Sequence, residues 1–178
     1  MSSDWSSDVC SSDLNMGCSA PKVYKRGGGA AWPQRRREAE RLLRRLVELR
    51  DSWEAETGRH GPALSVKLRL PRNDDLEALN ALLRRFTQAG LDWATLHARR
   101  PGDPYSRPAR WSAFESVALD PPLPLCLNGD IRPGEAVEKL VARFRPGALM
   151  PGRGVAEKPW LPRLLPAWLL SSRTLPRW

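Results

Sequence analysis

A lone cysteine, Cys18, lies in a tight turn within the stretch NMGCSAPKV at residues 15–23. A thiol at a strand-to-loop transition can face a pocket and exchange a proton without large backbone motion. Cysteine is more often a small buried apolar residue, however. This stretch taken alone therefore leaves both a catalytic and a packing interpretation open.

Four further polar motifs follow, each at or just beyond the end of a short apolar run typical of a β-strand. In order they carry Lys67 and Arg69, then His97 and Arg99, then Asn128, Gly129 and Asp130, and finally Gly152 and Arg153. Successive motifs stand 30, 31 and 24 residues apart, counted from Lys67 to His97, Asn128 and Gly152. A strand, a loop and a crossover helix need roughly 30 residues. The spacing therefore indicates consecutive βα units.

Helical patterns lie between these motifs. One apolar face runs from Leu76 to Phe86, with Asp74 or Asp75 placed to cap its start and Gly90 to end it. A second helix is predicted from the periodic apolar residues between Leu42 and Trp53. A third is predicted to start near Pro133, with a buried stripe of Val137, Leu140, Val141 and Phe144.

Alternating strands and helices predict an α/β fold with a parallel sheet. Because polar motifs stand at the carboxyl end of every strand, we expect a (β/α) barrel, which carries its chemistry on that face. A closed barrel needs eight strands and about 250 residues. Only four complete units and the tail of a fifth can be placed in this chain of 178 residues, so we expect a partial TIM barrel, roughly its second half.

The residue types at the strand ends favour an anionic ligand. Lys67 and Arg69 are two apart, so their side chains share one face of a strand. A pair of cations directed at the barrel centre is costly unless an anion neutralises it. The glycines of the last two motifs let backbone N–H groups approach phosphate oxygens closely, and Arg153 adds charge.

Together, and in this order, the motifs resemble the flavin-dependent tRNA-dihydrouridine synthase family, whose pattern is NMGC-PAPKV, VK-R, HGR, NGDI and GRG. The resemblance covers roughly residues 14–161. It implies an FMN-dependent, NADPH-linked enzyme that reduces the C5–C6 bond of uracil in tRNA. Departures are Ser19 for a proline, Ala98 for a glycine, and Pro104 and Arg110 in the loop that matches GYSGPADW.

The resemblance also implies roles for single residues. Cys18 is the expected catalytic acid, which protonates C5 while reduced flavin gives hydride to C6. Expected cofactor-binding residues are Lys67, beside the flavin ring, with His97, Asn128, Gly129, Asp130, Gly152 and Arg153. Expected substrate contacts are Asn15, Arg69 and Tyr105, whose ring could stack on a flipped uridine.

We expect three segments: a leader at residues 1–13, the partial barrel at 14–161 and an irregular tail at 162–178. The leader repeats Ser-Ser-Asp and back-translates into a common sequencing adapter, which suggests that it is not native. A partial barrel exposes strand edges, so we expect poor solubility or self-association and little activity.

Composition sets the remaining expectations. A formal net charge of +9 suits a polyanion such as tRNA, although a GC-rich genome would also favour arginine. The three cysteines form no CxxC pair, which argues against a metal site and fits a cytoplasmic location. No stretch approaches the roughly 18 apolar residues of a membrane helix, and no obligate protein partner is predicted. Two alternatives stay open: a non-catalytic basic RNA-binding module or inactive fragment, and another flavin-dependent barrel oxidoreductase.

Overall fold

The computed structural model describes residues 11–118, 123–132 and 135–163. Five parallel strands form one sheet in the order β1-β2-β3-β4-β5. They are β1 (Ser11–Asn15), β2 (Ala63–Arg69), β3 (Trp93–His97), β4 (Leu125–Asn128) and β5 (Ala148–Met150). Because each strand pairs with its neighbours in sequence, the chain advances around the sheet in one direction, as in part of a (β/α)8 barrel. The predicted fold class is confirmed.

The helices alternate with the strands. They are α1 (Pro21–Tyr24), α2 (Arg36–Thr57), α3 (Leu76–Gln88), α4 (Phe114–Ala118), α5 (Glu135–Phe144) and α6 (Arg153–Glu157), with 3₁₀ helices at Gly29–Gln34 and Trp111–Ala113. Asp75 caps α3 by accepting from the Ala78 N–H at 2.8 Å, and Gly90 has the expected positive φ of 92°. The predicted stripe of α5 is buried. Pro133 lies outside the described residues.

Helix α2 is less completely covered than its periodicity predicts. Leu43 is buried, but Leu49 and Trp53, which belong to the same apolar pattern, are 50% and 40% exposed. A helix of 22 residues is about 33 Å long, whereas the seven residues of β2 span about 23 Å. The carboxyl-terminal half of α2 therefore extends beyond the strands that it packs against.

The two faces of the sheet differ in chemistry. Apolar side chains such as Val66, Leu68, Leu96 and Leu127 are fully buried and belong to the hydrophobic core shared with the helices. Alternate residues form two polar rows on the opposite face. Strand register aligns Lys67 with Thr95 and Cys126 in one row, and Arg69 with His97 and Asn128 in the next. The predicted common side for Lys67 and Arg69 follows from this alternation.

Strand β1 includes Ser11–Asp13, which the sequence analysis assigned to the leader. These residues pair with Ala63, Leu64 and Ser65, and the Ser65 hydroxyl donates to Asp13 Oδ1 at 2.7 Å. Residues 1–10 and 164–178 lie outside the described residues. The division of the chain into leader, barrel and tail stays a prediction.

The turn after β1 is held by the Asn15 side chain, by a backbone hydrogen bond and by the close approach of Gly29. Asn15 Oδ1 accepts from the N–H groups of Gly17 and Cys18, both at 3.1 Å. The Ala30 N–H donates to the Cys18 carbonyl at 2.8 Å. Gly29, with φ of 52°, approaches so closely that a Cβ there would clash with the Cys18 carbonyl oxygen. Gly29 therefore packs against the backbone of the turn that carries Cys18, which we call the cysteine turn.

Replacing Gly29 by alanine should destabilise the protein more than replacing Gly58. Both glycines have positive φ, but an added Cβ at Gly58 meets nothing within 4 Å. Both variants incur the strain of a left-handed alanine, about 1 kcal/mol, and Gly29→Ala adds the clash, typically 1–3 kcal/mol. Urea unfolding followed by circular dichroism measures the difference. Equal losses in the two variants would show that the cysteine turn does not depend on the close approach.

Candidate active site

A cavity of about 470 Å³ opens at the carboxyl ends of β2 to β5, and we call it the strand-end cavity. It brings together nine of the residues predicted from sequence: Lys67, Arg69, His97, Tyr105, Asn128, Gly129, Asp130, Gly152 and Arg153. Arg99 and Arg132 also line it. Asp130 is the one carboxylate in this lining. Cations therefore outnumber anions in the strand-end cavity.

Lys67 is held at the centre of the polar face. Its Nζ donates to Asn128 Oδ1 at 3.1 Å, and Asn128 Nδ2 donates to the Met150 carbonyl at 2.6 Å. This chain of contacts links β2, β4 and β5 and fixes which side of the Asn128 amide faces the lysine. Burial lowers the pKa of Lys67, and the nearby Arg69 guanidinium lowers it further. An anion bound in the strand-end cavity would relieve this repulsion.

His97 lies at the end of β3 among cations. It is buried, and its Nε2 lies 3.3 Å from Arg99 Nη1. Burial, with the charges of Arg69, Lys67 and Arg99, lowers the pKa of His97 to about 3. The imidazole is therefore neutral at physiological pH. With Arg99 as donor, Nε2 is the acceptor, which leaves the ring's other nitrogen to carry the proton.

Arg99 and Asp130 form a nearly buried ion pair. Arg99 is 2% exposed, and its Nη2 donates to both carboxylate oxygens of Asp130, at 2.9 and 2.8 Å. Burial alone would raise the pKa of Asp130, but the Ala109 N–H and the Arg99 guanidinium outweigh it and lower that pKa. The family resemblance implied cofactor binding for Asp130 and no separate role for Arg99. In the structure each is the other's main partner.

The same ion pair holds the loop at residues 103–111, which we call the Tyr105 loop. Arg99 donates to the carbonyl oxygens of Arg107 and Tyr105, and Asp130 accepts from the Ala109 N–H at 2.7 Å. Trp111 Nε1 donates to the Gly129 carbonyl at 2.9 Å. These contacts fasten the loop to the end of β4.

The Tyr105 ring itself stays accessible. It is 59% exposed and lies against the Arg153 guanidinium, whose carbon is 4.8 Å from the ring centroid. Arg110, which departs from the family's aspartate, forms an ion pair with Asp74 at 2.5 Å. That pair joins the Tyr105 loop to the segment before α3, so the departure supplies a different anchor for the loop.

The glycines of the last two motifs have different roles in the structure. Gly129 has φ of 119°, and a Cβ there would lie 3.1 Å from both Ala109 and His97, so packing of the Tyr105 loop requires this glycine. Gly154 approaches the Ile131 carbonyl too closely for a side chain. Only Gly152 faces open space, since an added Cβ would meet nothing within 4 Å. Gly152 is therefore the glycine best placed for close approach of a ligand.

Cys18 and Asn15 do not line the strand-end cavity. Asn15 is the last residue of β1, and Cys18 lies on the turn that follows it. Arg69, which lines the cavity, joins this turn to it because its Nε donates to the Gly17 carbonyl at 2.9 Å. Cys18 is half-buried, whereas Cys126 is buried on β4 and burial raises the pKa of its thiol to about 11. Of the two cysteines that the structure describes, Cys18 is the one accessible for chemistry.

In the described part of the chain, no helix is long and apolar enough to cross a membrane. Nor do three or more histidine, cysteine or acidic side chains gather there as a possible metal site.

A family model described as Dihydrouridine synthase (Dus) matches residues 4–168. A rat protein named tRNA-dihydrouridine(47) synthase NAD(P)(+)-like is 32% identical over 86% of this chain and 22% of its own length. The human protein of that name is 31% identical over 84% of this chain and 21% of its own. tRNA-dihydrouridine synthase B of Pseudomonas syringae pv. tomato is 26% identical over 92% and 46%. The chain thus spans between about a fifth and a half of these relatives' lengths.

Replacing Asp130 by asparagine should loosen the Tyr105 loop. The neutral amide leaves the buried Arg99 guanidinium without its counter-charge, and we expect a loss of about 2 kcal/mol. Glu115→Gln is the control, because Glu115 forms an exposed ion pair with Arg143, for which less than about 1 kcal/mol is expected. Amide hydrogen exchange should quicken over residues 103–111 in Asp130→Asn alone. Unchanged exchange in that loop would contradict the proposed anchoring.

The low pKa of His97 should make stability depend on pH. In the unfolded chain His97 binds a proton below about pH 6.5, whereas in the folded chain its pKa is about 3. The free energy of unfolding should therefore fall as pH drops below 6.5, by up to about 1.4 kcal/mol per pH unit. Urea unfolding from pH 7 to 5 should show this slope in the wild type and a shallower one in His97→Gln. Identical slopes would contradict the burial of a neutral His97.

Proposed function

Because the chain belongs to the dihydrouridine synthase family, we propose that it forms the catalytic part of a tRNA-dihydrouridine synthase. The reaction is reduction of the C5–C6 bond of a uracil in tRNA, with FMN as cofactor and NADPH as reductant. One observation carries the proposal: a half-buried thiol stands beside a cation-lined cavity at the strand ends of a partial barrel. The cytoplasmic location expected from sequence stays a prediction.

The residues of the strand-end cavity fit FMN in charge and in space. The cofactor's phosphate is anionic, and the lining supplies Lys67, Arg132 and Arg153. The open space over Gly152 suits the close approach of phosphate oxygens. Lys67 would lie near the flavin ring, because its Nζ is fixed by Asn128 at the centre of the sheet. When bound, FMN would supply the hydride that reaches C6 of the uracil.

Cys18 would supply the proton at C5. Its position is set by the Asn15 side chain and by the Ala30 N–H, so the thiol is presented on a fixed backbone. Arg69 ties this turn to the strand-end cavity through the Gly17 carbonyl. A uracil that reaches the cavity would thus lie between the thiol and the cofactor. The exposed Tyr105 ring offers a surface for its base to stack on.

Cys18→Ala should abolish dihydrouridine formation and leave flavin binding intact. Loss of a general acid typically costs about 10²–10⁴-fold in rate. Cys126→Ala is the matched control, since it removes the buried thiol on β4. Product is measured by mass spectrometry of digested tRNA, and bound flavin by its visible absorbance. Full turnover in Cys18→Ala would remove the thiol from the reaction.

The same assay separates the two alternatives. A non-catalytic RNA-binding module would bind tRNA with no product from the wild type. Another flavin-dependent oxidoreductase would oxidise its reduced flavin at the same rate with and without tRNA. Faster flavin oxidation in the presence of tRNA, matched by dihydrouridine formed, supports the synthase.

A further inference from the structure

An uninterrupted basic segment follows the cysteine turn. Residues 22–37 hold six cations and no acidic residue: Lys22, Lys25, Arg26, Arg35, Arg36 and Arg37. All six are exposed. We call the surface formed by these side chains, together with Arg72, the basic surface.

These cations differ in their pairing from many of the other arginines. Several arginines elsewhere form ion pairs within the protein, such as Arg44 with Glu40, Arg110 with Asp74 and Arg143 with Glu115. Over the residues described here, Arg35 is the one cation of segment 22–37 in a salt bridge, with Glu38 at 3.7 Å. Five of the six cations in this segment therefore have no carboxylate partner among the residues that the structure describes.

A second element adds to the same surface. Arg72, in the loop between β2 and α3, lies over the Tyr24 ring with its guanidinium carbon 4.8 Å from the centroid. Arg36, Arg69 and Arg72 line a cleft of about 420 Å³ between the first 3₁₀ helix and α3. The carboxylate in that lining, Asp75, already accepts from the Ala78 N–H as the cap of α3. Three arginines thus line one cleft.

This cleft adjoins the candidate active site. Arg69 lines both the cleft and the strand-end cavity, and its Nε is bonded to the cysteine turn. A ligand that enters the strand-end cavity could therefore continue across Arg69 onto the basic surface. An extended polyanion is the kind of ligand that could contact both, because cations line the strand-end cavity and the adjoining cleft.

We propose that the basic surface binds the sugar-phosphate backbone of the RNA strand whose uridine enters the strand-end cavity. This inference rests on the proposed function, because it takes the substrate to be RNA. Val23, at 37%, is the one large apolar side chain of segment 22–37 that is clearly exposed. Membrane insertion and stable protein interfaces both need a larger apolar area. Unpaired cations without an apolar centre are typical of phosphate contacts.

The test compares two triple variants of the full chain with the same change in net charge. One is Lys25→Gln, Arg26→Gln and Arg36→Gln on the basic surface. The control is Arg44→Gln, Arg45→Gln and Arg143→Gln, which removes exposed cations that are already paired. Binding of a fluorescent unmodified tRNA transcript is measured by anisotropy at several KCl concentrations. Circular dichroism checks that both variants remain folded.

Each lost phosphate contact should weaken binding by roughly five- to eightfold at 0.1 M salt, and should reduce the salt slope by about 0.7–0.9. We expect these changes in the basic-surface variant and little change in the control. Equal weakening in both variants, or none in the basic-surface variant, would overturn the inference. Displacement of the transcript by poly-glutamate at equal charge concentration would also overturn it, because the surface would then accept an acidic polypeptide.

Failure of the proposed function gives a different result. If the wild type binds the transcript through the basic surface but forms no dihydrouridine, the inference stands and the enzyme assignment falls. If the wild type forms dihydrouridine and the basic-surface variant binds the transcript as tightly, the assignment stands and the inference falls.

Discussion

Arg99 and Asp130 form the ion pair on which the arrangement of the candidate site depends. The buried Arg99 guanidinium donates hydrogen bonds to the Asp130 carboxylate, which follows the next strand, and to carbonyl groups of the Tyr105 loop. The carboxylate in turn accepts from the backbone of that loop. A buried ion pair adds little to the free energy of unfolding, because desolvation of the two charges offsets their attraction. Its effect is to fix the relative position of the groups that it joins. Here it sets the mutual position of two strand ends and the loop between them.

Positive charge is the second constraint. Lys67, Arg69 and Arg153 line the strand-end cavity with one carboxylate. Burial, and then the charges of Arg69, Lys67 and Arg99, lower the pKa of His97. Such a site is strained until an anion enters it. The proposed phosphate of the cofactor and the proposed RNA backbone are both anions. Cofactor and substrate would each relieve repulsion that the folded chain otherwise tolerates.

Sequence reasoning identified the elements whose signals are local. The cap of α3 at Asp74 or Asp75, the glycine Gly90 that follows its end and the stripe of α5 were predicted from sequence, and all three are present, with Asp75 as the cap. Grouping of the polar motifs at one edge followed from the parallel order of the strands. The order of the motifs predicted membership of the dihydrouridine synthase family, and the match over residues 4–168 confirms it.

What the sequence could not supply depends on contacts between distant residues. Asp130 is 31 positions from Arg99, and nothing local shows that its carboxylate is already engaged. Gly29 is recognisable as a support only once the Cys18 carbonyl is seen beside it. Leu49 and Trp53 fit the period of α2, but the strands are too short to cover them. The individual site roles remain predictions.

The turn after β1 is built from main-chain groups, the Asn15 side chain and a glycine behind it, and none of these contacts uses the cysteine sulfur. Architecture and reactivity are thus separable at position 18. The scaffold would present a serine, an alanine or a selenocysteine with the same geometry. The backbone of the turn therefore does not depend on the side chain at position 18, and the sulfur of Cys18 determines which chemistry the turn can perform.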